Sequence, residues 1–420
     1  MTHSNEGKRV LKVLIVGQTP PPYGGQAIMI ERLVDSSLAG VEFLHVRMAF
    51  SATMTEVGAF RWSKVAHMFA VILRIIYYRI FHRVRILYYP PSGPDRVPMY
   101  RDVIILLATR WMFSKTVFHF HAGGISELYD RLPGWMRWLY RGAYFRPDAA
   151  VRLAETTPED AKLLQAVQEY VIPYGVDDPS QGLTVERTPP SALQPLRVLY
   201  VGVLRESKGL LVLLEACRRL ADRGVKFQLE LMGQFQPAEF EPYVRSLIVE
   251  SKIDQHVTFL GVLTGAEKFA AFARADVFCM PTFFESENFP VVLVEAMALG
   301  LPVVATRWRG IPSLVDEGVT GLLVEPHDAE AVSERLEQLA GDVALRTRLG
   351  HAGREKFLRD LTLARHLERM RCVFLDIAGD TSASAETASH GDFADDRTTQ
   401  LMPAESRVSN LREREPDLVM

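Results

Sequence analysis

The chain alternates short apolar runs with longer segments in which apolar residues recur every three or four positions. The first such unit runs from the strand-like Lys12 to Gly17 through the loop PPPYGG into a helical pattern from Gln26 to Leu38. The strand-like runs RILYY and KTVFHFH follow, with helical patterns around them. Short apolar strands that alternate with helices are typical of parallel sheets covered on both faces. The first half therefore predicts a Rossmann-like domain.

A second series of the same kind follows a segment from Asp177 to Pro195 that contains four prolines and almost no periodicity. This segment predicts a linker. The strand-like runs beyond it are LRVLYVG, VKFQLELMG, VTFLG, DVFCMP, PVVAT and GLLVEP. Helical patterns separate them, the first from about Lys208 to Arg223. We expect an α/β protein with two Rossmann-like domains that face each other across a cleft.

The domain limits follow from these changes of pattern. Beyond about Gly379 the chain is polar and lacks a sustained apolar face, which predicts disorder. We predict a polar lead at 1–9, an N-terminal Rossmann-like domain at 10–177, a linker at 178–195, a C-terminal Rossmann-like domain at 196–360, a helix at 361–378 and a disordered tail at 379–420.

Composition excludes several classes of protein. The chain has 420 residues, of which 48% are apolar, and a net charge near −3, so it lacks the basic excess that nucleic-acid binding would require. Cys217, Cys279 and Cys372 lack CxxC spacing, so neither a disulfide framework nor a zinc site is predicted. The start lacks a signal-peptide pattern, so we expect a cytoplasmic protein. Arginines interrupt the apolar runs His67–Phe81 and Val103–Phe113, which argues against membrane spans.

The stretch ESENFPVVLVEAMALG, Glu285 to Gly300, places one carboxylate, Glu295, in an otherwise apolar helical pattern. The helix is predicted to have Pro290 as its first residue. It begins at the carboxyl end of the strand Asp276–Pro281, where doubly wound sheets bind ligands and helix N–H groups favour phosphate. Ribose hydroxyls would supply donors to Glu295, and a second sugar would supply them to Glu287. An internal salt bridge at Glu295 and a helix-dipole contact at Glu287 are the alternatives.

A second strand end carries two cations. The strand in VGVLRESKGLLVLLEA ends at Gly202, and Arg205 and Lys208 follow within six residues, close to the start of a helix. Two cations beside a helix N-terminus suit a diphosphate. Basic residues are also common in exposed loops of this kind, which is the alternative interpretation.

These pieces together resemble the retaining, nucleotide-sugar-dependent glycosyltransferases with the GT-B fold, the family 4 type (glycosyl transferases group 1). The resemblance is strongest from about Val198 to Pro326, where YVGVLRESKG, LMG, FLG, ADVFCMPTFFESENFPVVLVEAMALGLPVVAT and GIPSLVDEGVTGLLVEP follow in family order. Glu287 and Glu295 have the family's E-x7-E spacing. The N-terminal half matches through PPYGG, FHFHAGG and VIPYGVD. The resemblance implies a GT-B fold with an acceptor-side domain at 10–177 and a nucleotide-sugar-binding domain at 196–360, in which the helix at 361–378 crosses back to the first domain.

The resemblance also implies roles for the matching residues. Glu295 would hold the nucleotide ribose, Glu287 would face the donor sugar and Lys208 would bind the diphosphate. The implied catalytic residues are His121, Glu287, Lys208 and Arg205, and the implied donor-binding residues are Gly25, Arg205, Lys208, Glu287, Phe289 and Glu295. The nucleoside diphosphate sugar is expected as a co-substrate, and neither a metal nor another cofactor is expected.

Four positions depart from the family pattern. Val203 stands where the family has an arginine, so Arg205 would have to replace it from two residues further on. Pro290 removes a backbone donor near the sugar. Arg309 and Ser313 replace the first glycine and the glutamate of a typical GGIPE segment. These departures are compatible both with a changed donor preference and with weaker activity.

The N-terminal half offers two further candidate features. Gly24 and Gly25 lie at a helix start, where the absence of a Cβ admits a close ligand or serves a tight turn. His119 and His121 share one face of a strand. The resemblance places His121 in the cleft near the donor sugar, and packed, hydrogen-bonded histidines are the alternative. A metal pair would lack an evident third ligand.

The segment Arg61 to Arg85 carries six Lys or Arg residues and no acidic residue among bulky apolar and aromatic residues. It predicts either a basic amphipathic helix lying on an anionic bilayer or a core helix whose basic side chains extend to water. The first interpretation gives peripheral contact with the cytoplasmic leaflet of a membrane, which suits a lipid-linked acceptor.

Three hypotheses about function follow. The first is transfer of a sugar from a nucleoside diphosphate sugar to a hydroxyl of a saccharide or lipid-linked acceptor, with retained configuration, in polysaccharide or glycolipid assembly. The second is a sugar-nucleotide epimerase or hydrolase, which would turn over without an acceptor. The third is a non-catalytic sugar-nucleotide-binding or scaffold subunit, which would bind the donor without turnover.

Overall fold

The structure, a computed structural model, describes residues 10–21, 24–50, 62–182 and 194–379. The predicted polar lead, most of the predicted linker and the tail beyond Gly379 lie outside the described residues. Arg61, the first residue of the predicted basic segment, also lies outside them.

The first described sheet is parallel throughout and has the strand order β2-β1-β3-β4-β5-β6. Its strands are β1 (Leu11–Gly17), β2 (Val41–Arg47), β3 (Ile86–Tyr89), β4 (Lys115–Phe120), β5 (Ala149–Arg152) and β6 (Gln168–Val171). Most are nearly continuous apolar runs, because helices cover both faces of the sheet.

The second described sheet is also parallel, with the order β12-β11-β10-β7-β8-β9. Its strands are β7 (Leu196–Val201), β8 (Phe227–Met232), β9 (Val257–Gly261), β10 (Val277–Met280), β11 (Val303–Thr306) and β12 (Gly321–Val324). The predicted α/β class, with two parallel sheets, is confirmed.

Helices connect the strands in both halves. In the first half they are α1 (Gly25–Val34), α2 (Trp62–Phe81), α3 (Arg96–Thr109), α4 (Gly134–Tyr144) and α5 (Asp160–Leu163). In the second they are α6 (Leu210–Asp222), α7 (Phe240–Glu250), α8 (Gly265–Arg274), α9 (Val291–Ala298), α10 (Ile311–Leu314), α11 (Ala329–Gly341), α12 (Val343–Asp360) and α13 (Leu363–Ala378). Among the described helices, none is long and apolar enough to cross a membrane.

Two helix starts differ from the sequence prediction. Lys208 ends a short 3-10 turn, and α6 begins only at Leu210, because Gly209 between them is left-handed with φ +80°. A Cβ on Gly209 would lie 2.0 Å from the Pro281 carbonyl oxygen, so the glycine is needed for this close approach. Pro290 is the extended N-cap of α9 rather than its first residue.

The first sheet buries its two faces against different helices. Leu14 and Val16 of β1 point toward the core shared with α2, α3 and α4. Val13 and Ile15 point to the other face, where they share a core with α1 and with Phe374 of α13. This alternation follows from the two-residue period of a strand. The last described helix thus packs on the first domain.

Candidate functional site

Two helix N-termini meet where the domains face each other. α1 begins at Gly25 and α9 at Val291, and a Cβ placed on Gly25 would lie 3.6 Å from the Val291 Cγ2. Gly24 has no neighbouring atom within 4 Å of an ideal Cβ, so packing within the described residues requires neither glycine. A helix N-terminus has N–H groups without an intrahelical partner and a positive dipole end, so these two helix starts favour an anion between them.

Glu295 lies in α9 and is buried, with 8% of its surface exposed. Its Oε1 accepts a hydrogen bond of 2.6 Å from the Lys268 ammonium of α8. Its Oε2 is buried and has no hydrogen-bond partner among the described residues. Burial raises the pKa of Glu295, and Lys268 partly opposes this rise. Glu295 therefore has an internal salt bridge and, in addition, one oxygen that lacks a donor.

Glu287 precedes α9 and is also buried. Its Oε2 pairs with the Lys208 ammonium, and the Thr282 hydroxyl donates to the same oxygen over 3.4 Å. Phe284 lies beside this pair, with the Lys208 Nζ 4.7 Å and the Arg205 guanidinium 4.9 Å from its ring centroid. The structure thus brings three predicted residues, Arg205, Lys208 and Glu287, together around one aromatic ring.

Lys208 and Arg205 differ in the number of partners that their side chains already have within the protein. An ammonium has three donors, so its pair with Glu287 leaves Lys208 further donors for a ligand. Arg205 is half-buried and has extended backbone at the entry to the 3-10 turn. Among the described residues it forms no ion pair, so its guanidinium is available to an anion.

His121 is held in a buried cluster by two tyrosines. Its Nε2 lies 3.0 Å from the Tyr88 hydroxyl, and its Nδ1 pairs closely with the Tyr174 hydroxyl. The His119 ring stacks on it at 4.0 Å, and the same Tyr88 hydroxyl lies 2.7 Å from the His119 Nδ1. Both ring nitrogens of His121 are therefore engaged within the protein. A direct contact of this side chain with a sugar would require Tyr88 or Tyr174 to move.

Burial keeps the histidines of this cluster neutral. It lowers the pKa of His121 to about 3 and that of His366, on α13, to about 4. The pKa of His119 is held well below its usual value by burial and by the two neighbouring histidines. The His366 Nδ1–H donates to the Pro173 carbonyl over 2.8 Å. The described residues contain no group of three or more His, Cys, Asp or Glu side chains placed to hold a metal ion.

The loop before α9 docks on the first domain. The Asn288 amide donates to the Phe120 carbonyl over 2.9 Å. Phe289 is buried and meets the Tyr174 ring edge to face at 5.8 Å. The structure therefore places Phe289, predicted to bind the donor, in packing between the two domains.

Two departures from the family pattern also contact the first domain. The Arg309 guanidinium pairs with the Glu127 carboxylate at 2.7 Å, and its backbone φ is +49°. The Thr156 hydroxyl lies 2.8 Å from the Arg309 carbonyl and 2.9 Å from the Ser313 hydroxyl. Arg309 and Ser313 thus contribute contacts between the domains on this side of the cleft.

Several residues of the site were not predicted from the sequence. Lys268 lies 27 positions before Glu295, and no local pattern marks it. Phe284 and Asn288 lie in the same loop as Glu287, so their position in that loop was the only sequence feature that indicated their place in the site. Tyr174 lies in the segment VIPYGVD. The resemblance of this segment to the family indicated the region of the site but not the residue.

Comparison with known proteins bears on the second domain most directly. Residues 195–342 match the family model described as glycosyl transferases group 1. The chain is 36% identical over 157 residues to an amylovoran biosynthesis glycosyltransferase of Erwinia amylovora, covering 36% of this chain and 38% of the relative. It is 34% identical over 217 residues to a D-inositol 3-phosphate glycosyltransferase of Pseudarthrobacter chlorophenolicus, covering 49% and 51%. The chain matches about a third to a half of the length of these relatives. The resemblance predicted from the sequence is confirmed.

Solved structures match nearly the whole fold. A sucrose-phosphate synthase from Thermosynechococcus elongatus superposes with a TM-score of 0.65 at 19% identity, covering 88% of this chain and 99% of that one. The Anabaena protein HepE, solved in complex with UDP, gives a TM-score of 0.62 at 16% identity, covering 90% and 100%. The fold is GT-B, with two Rossmann-like domains that face across a cleft, as predicted.

Proposed function

We propose that this chain is a retaining glycosyltransferase that transfers a sugar from a nucleoside diphosphate sugar to a hydroxyl acceptor. The observation that carries the proposal is the buried Glu295 Oε2, which lacks a hydrogen-bond partner among the described residues. A buried acceptor without a donor costs about 1–3 kcal/mol. A ligand with two adjacent hydroxyls would remove this cost, and a ribose has such hydroxyls.

The diphosphate would lie between the N-termini of α1 and α9. Arg205 and Lys208 lie at Phe284, in the loop that leads into α9, and neither is saturated by partners in the described residues. Their charges and the two helix dipoles would balance the charge of the diphosphate. Lys208 would stay in contact with Glu287 while it donates to phosphate oxygen, so Glu287 would set the position of the ammonium.

The transfer step follows from this arrangement. The acceptor oxygen bonds to the anomeric carbon while the bond from that carbon to the diphosphate oxygen breaks. Attack occurs on the face from which the diphosphate departs, which retains the configuration. The acceptor proton passes to the departing phosphate oxygen, and Lys208, Arg205 and the helix N-termini stabilise the developing charge.

In this account His121 acts as a neutral group. Burial lowers its pKa to about 3, so the ring is uncharged at neutral pH and we do not assign it the role of general acid. It would instead position the cleft wall next to the donor sugar. Tyr88 and Tyr174 would fix the orientation of its ring through their hydroxyls.

The acceptor class is inferred from the relatives and from the first domain. A relative named for amylovoran biosynthesis supports a role in polysaccharide or glycolipid assembly. We place the protein in the cytoplasm, with α2 in peripheral contact with the cytoplasmic leaflet. Arg74 of that helix is exposed, beside the exposed apolar side chains of Phe69 and Leu73.

The experiment follows release of nucleoside diphosphate from UDP-, GDP- and ADP-sugars with saccharide and lipid-linked acceptors, and the anomeric configuration of the product by NMR. We expect acceptor-dependent release with retained configuration, and loss of donor use in Glu295→Gln and Lys208→Ala. Release without acceptor that yields only free sugar or an isomer would indicate a hydrolase or epimerase. Wild-type turnover in both variants would overturn the assignment of the site.

A further inference from the structure

The exposed aromatic side chains of the described residues are concentrated on one part of the molecule. Seven of the eight large exposed aromatic residues lie on α2, α3, α4 or the turn after α3, and the eighth, Tyr243, lies on α7. The seven are Phe69, Tyr77, Phe81, Tyr100, Trp111, Trp135 and Trp138. Single exposed apolar residues are normal on a protein surface, whereas a concentration of this kind indicates an interaction site.

The exposed apolar residues of α2 and α3 form regular stripes. On α2 they recur at positions 69, 73, 77, 80 and 81, and on α3 at 97, 100, 104 and 107. This spacing places each set along one side of its helix, opposite the buried side that packs on the sheet. Because α3 packs between α2 and α4, the stripes lie side by side. We call the surface formed by the exposed residues of α2, α3, the turn Arg110–Met112 and α4 the outer face.

α4 adds tryptophan and arginine to the outer face. Trp135 and Trp138 are 66% and 74% exposed. Beside Trp138, a cavity of about 350 Å³ between α3 and α4 is lined by apolar residues together with Arg141 and Arg146. The Arg141 guanidinium lies 4.9 Å above the Phe145 ring. Both arginines are exposed and, among the described residues, neither forms an ion pair with a carboxylate.

The outer face carries basic residues and almost no acidic ones. α2, α3 and α4 together contain one acidic residue, Asp102, which is fully buried. Its carboxylate accepts from the Tyr89 hydroxyl, the Ser92 N–H and the Arg101 guanidinium. Arg74, Arg141 and the residues around them therefore give this apolar surface a positive charge. The exposed apolar side chains and the positive charge of the outer face both fit a partner that has an apolar interior and an anionic surface.

We infer that the outer face is a docking surface for an anionic phospholipid bilayer, with α4 and its tryptophans as an anchor separate from α2. Tryptophan side chains favour the boundary between headgroups and acyl chains, and arginine favours anionic headgroups. The inference extends the α2 contact given under the proposed function and rests on it for that helix only. It makes the first domain the membrane-facing one and leaves the donor side of the cleft open to the cytoplasm.

The test uses the full chain and flotation with phosphatidylcholine vesicles that contain, or lack, phosphatidylglycerol. We expect strong binding only to the anionic vesicles and a blue shift of tryptophan fluorescence, because Trp111, Trp135 and Trp138 are exposed on the outer face. Trp135→Ser with Trp138→Ser should abolish most of the binding. The single substitutions Arg74→Gln and Arg141→Gln should each weaken vesicle binding about fivefold.

A matched control distinguishes binding through the outer face from non-specific adsorption of the protein to vesicles. Tyr77 on α2 and Tyr243 on α7 are 50% and 55% exposed, so Tyr77→Ser and Tyr243→Ser remove similar apolar surfaces. We expect only Tyr77→Ser to weaken vesicle binding. Equal binding to neutral and anionic vesicles, equal effects of the two serine variants, or a dimer that Tyr77→Ser dissociates would each overturn the inference. Thermal shifts with nucleotides, measured on the same variants, distinguish a failed membrane contact from a failed donor site.

Discussion

The buried histidines at the junction of the first sheet and α13 predict a specific loss of stability in mild acid. Burial lowers the pKa of His119, His121 and His366 in the folded protein, to about 3 for His121 and about 4 for His366. In the unfolded chain each has a pKa near 6.5. Near pH 5 the unfolded state therefore binds more protons than the folded state, so stability is full above pH 6.5 and falls as the pH falls below it.

The magnitude depends mainly on the unfolded state. Because the folded pKa values of His121 and His366 lie below 5, each of these two histidines costs about 1.4 kcal/mol per pH unit below 6.5, or ~2 kcal/mol at pH 5. Together these two cost ~4 kcal/mol out of a total domain stability of ~5–15 kcal/mol, and the lowered pKa of His119 adds to the loss in the same direction. For a domain of this size, one histidine should lower the melting temperature by about 4–8 °C. The protein should therefore be markedly less stable at pH 5 than at pH 7.5.

Urea unfolding between pH 7.5 and pH 5, followed by circular dichroism, measures this loss. In His366→Asn the amide can replace the Nδ1–H that donates to the Pro173 carbonyl, but it cannot be protonated. We expect this variant to retain stability at pH 7.5 and to lose ~2 kcal/mol less than the wild type at pH 5. His351 is 73% exposed on α12, so His351→Asn should leave the pH dependence unchanged. Stability that is independent of pH, or an equal slope in His366→Asn and the wild type, would refute the reasoning.

Three further predictions concern packing around the site. Lys268→Met should destabilise the fold by about 3 kcal/mol because it leaves the Glu295 carboxylate unpaired, and Lys268→Met with Glu295→Gln should recover part of this loss in urea unfolding. Asn288→Ala should cost about 1–3 kcal/mol because a buried carbonyl at the end of β4 loses its donor; an unchanged unfolding midpoint would contradict this. Gly310→Ala should lower the melting temperature because its Cβ would lie 1.9 Å from the Asn288 carbonyl oxygen, whereas Gly134→Ala, with open space around it, should not.

The sheets were predictable because their sequence signal is strong. Strands such as LIV in β1 and VFCM in β10 are buried on both faces, so almost every position is apolar. The boundaries of the helices were less predictable from the sequence. Gly209 ends one turn and starts α6 because the Pro281 carbonyl leaves no room for a side chain, and that contact joins residues 72 positions apart. A sequence pattern read locally does not contain this information.

The sequence predicted which loops form the site, but it did not predict which side chains pair with each other there. Glu287 and Glu295 stand out because they are carboxylates near or within an apolar helix. Their partners Lys208 and Lys268 come from other elements, so the fold, not the spacing, decides the pairing. For His121, the strand pattern predicted a face shared with His119. The tyrosines that engage both ring nitrogens lie 33 and 53 positions away.

The proposed function depends above all on the binding of a nucleoside diphosphate sugar's ribose by Glu295. Thermal unfolding of the wild type and of Glu295→Gln with UDP, GDP, ADP and their sugar conjugates tests it most directly, because a ligand of the folded state raises the melting temperature. We expect one nucleotide to raise the melting temperature of the wild type and this rise to be lost in Glu295→Gln. No rise with any nucleotide in folded protein, or an equal rise in the variant, would contradict it.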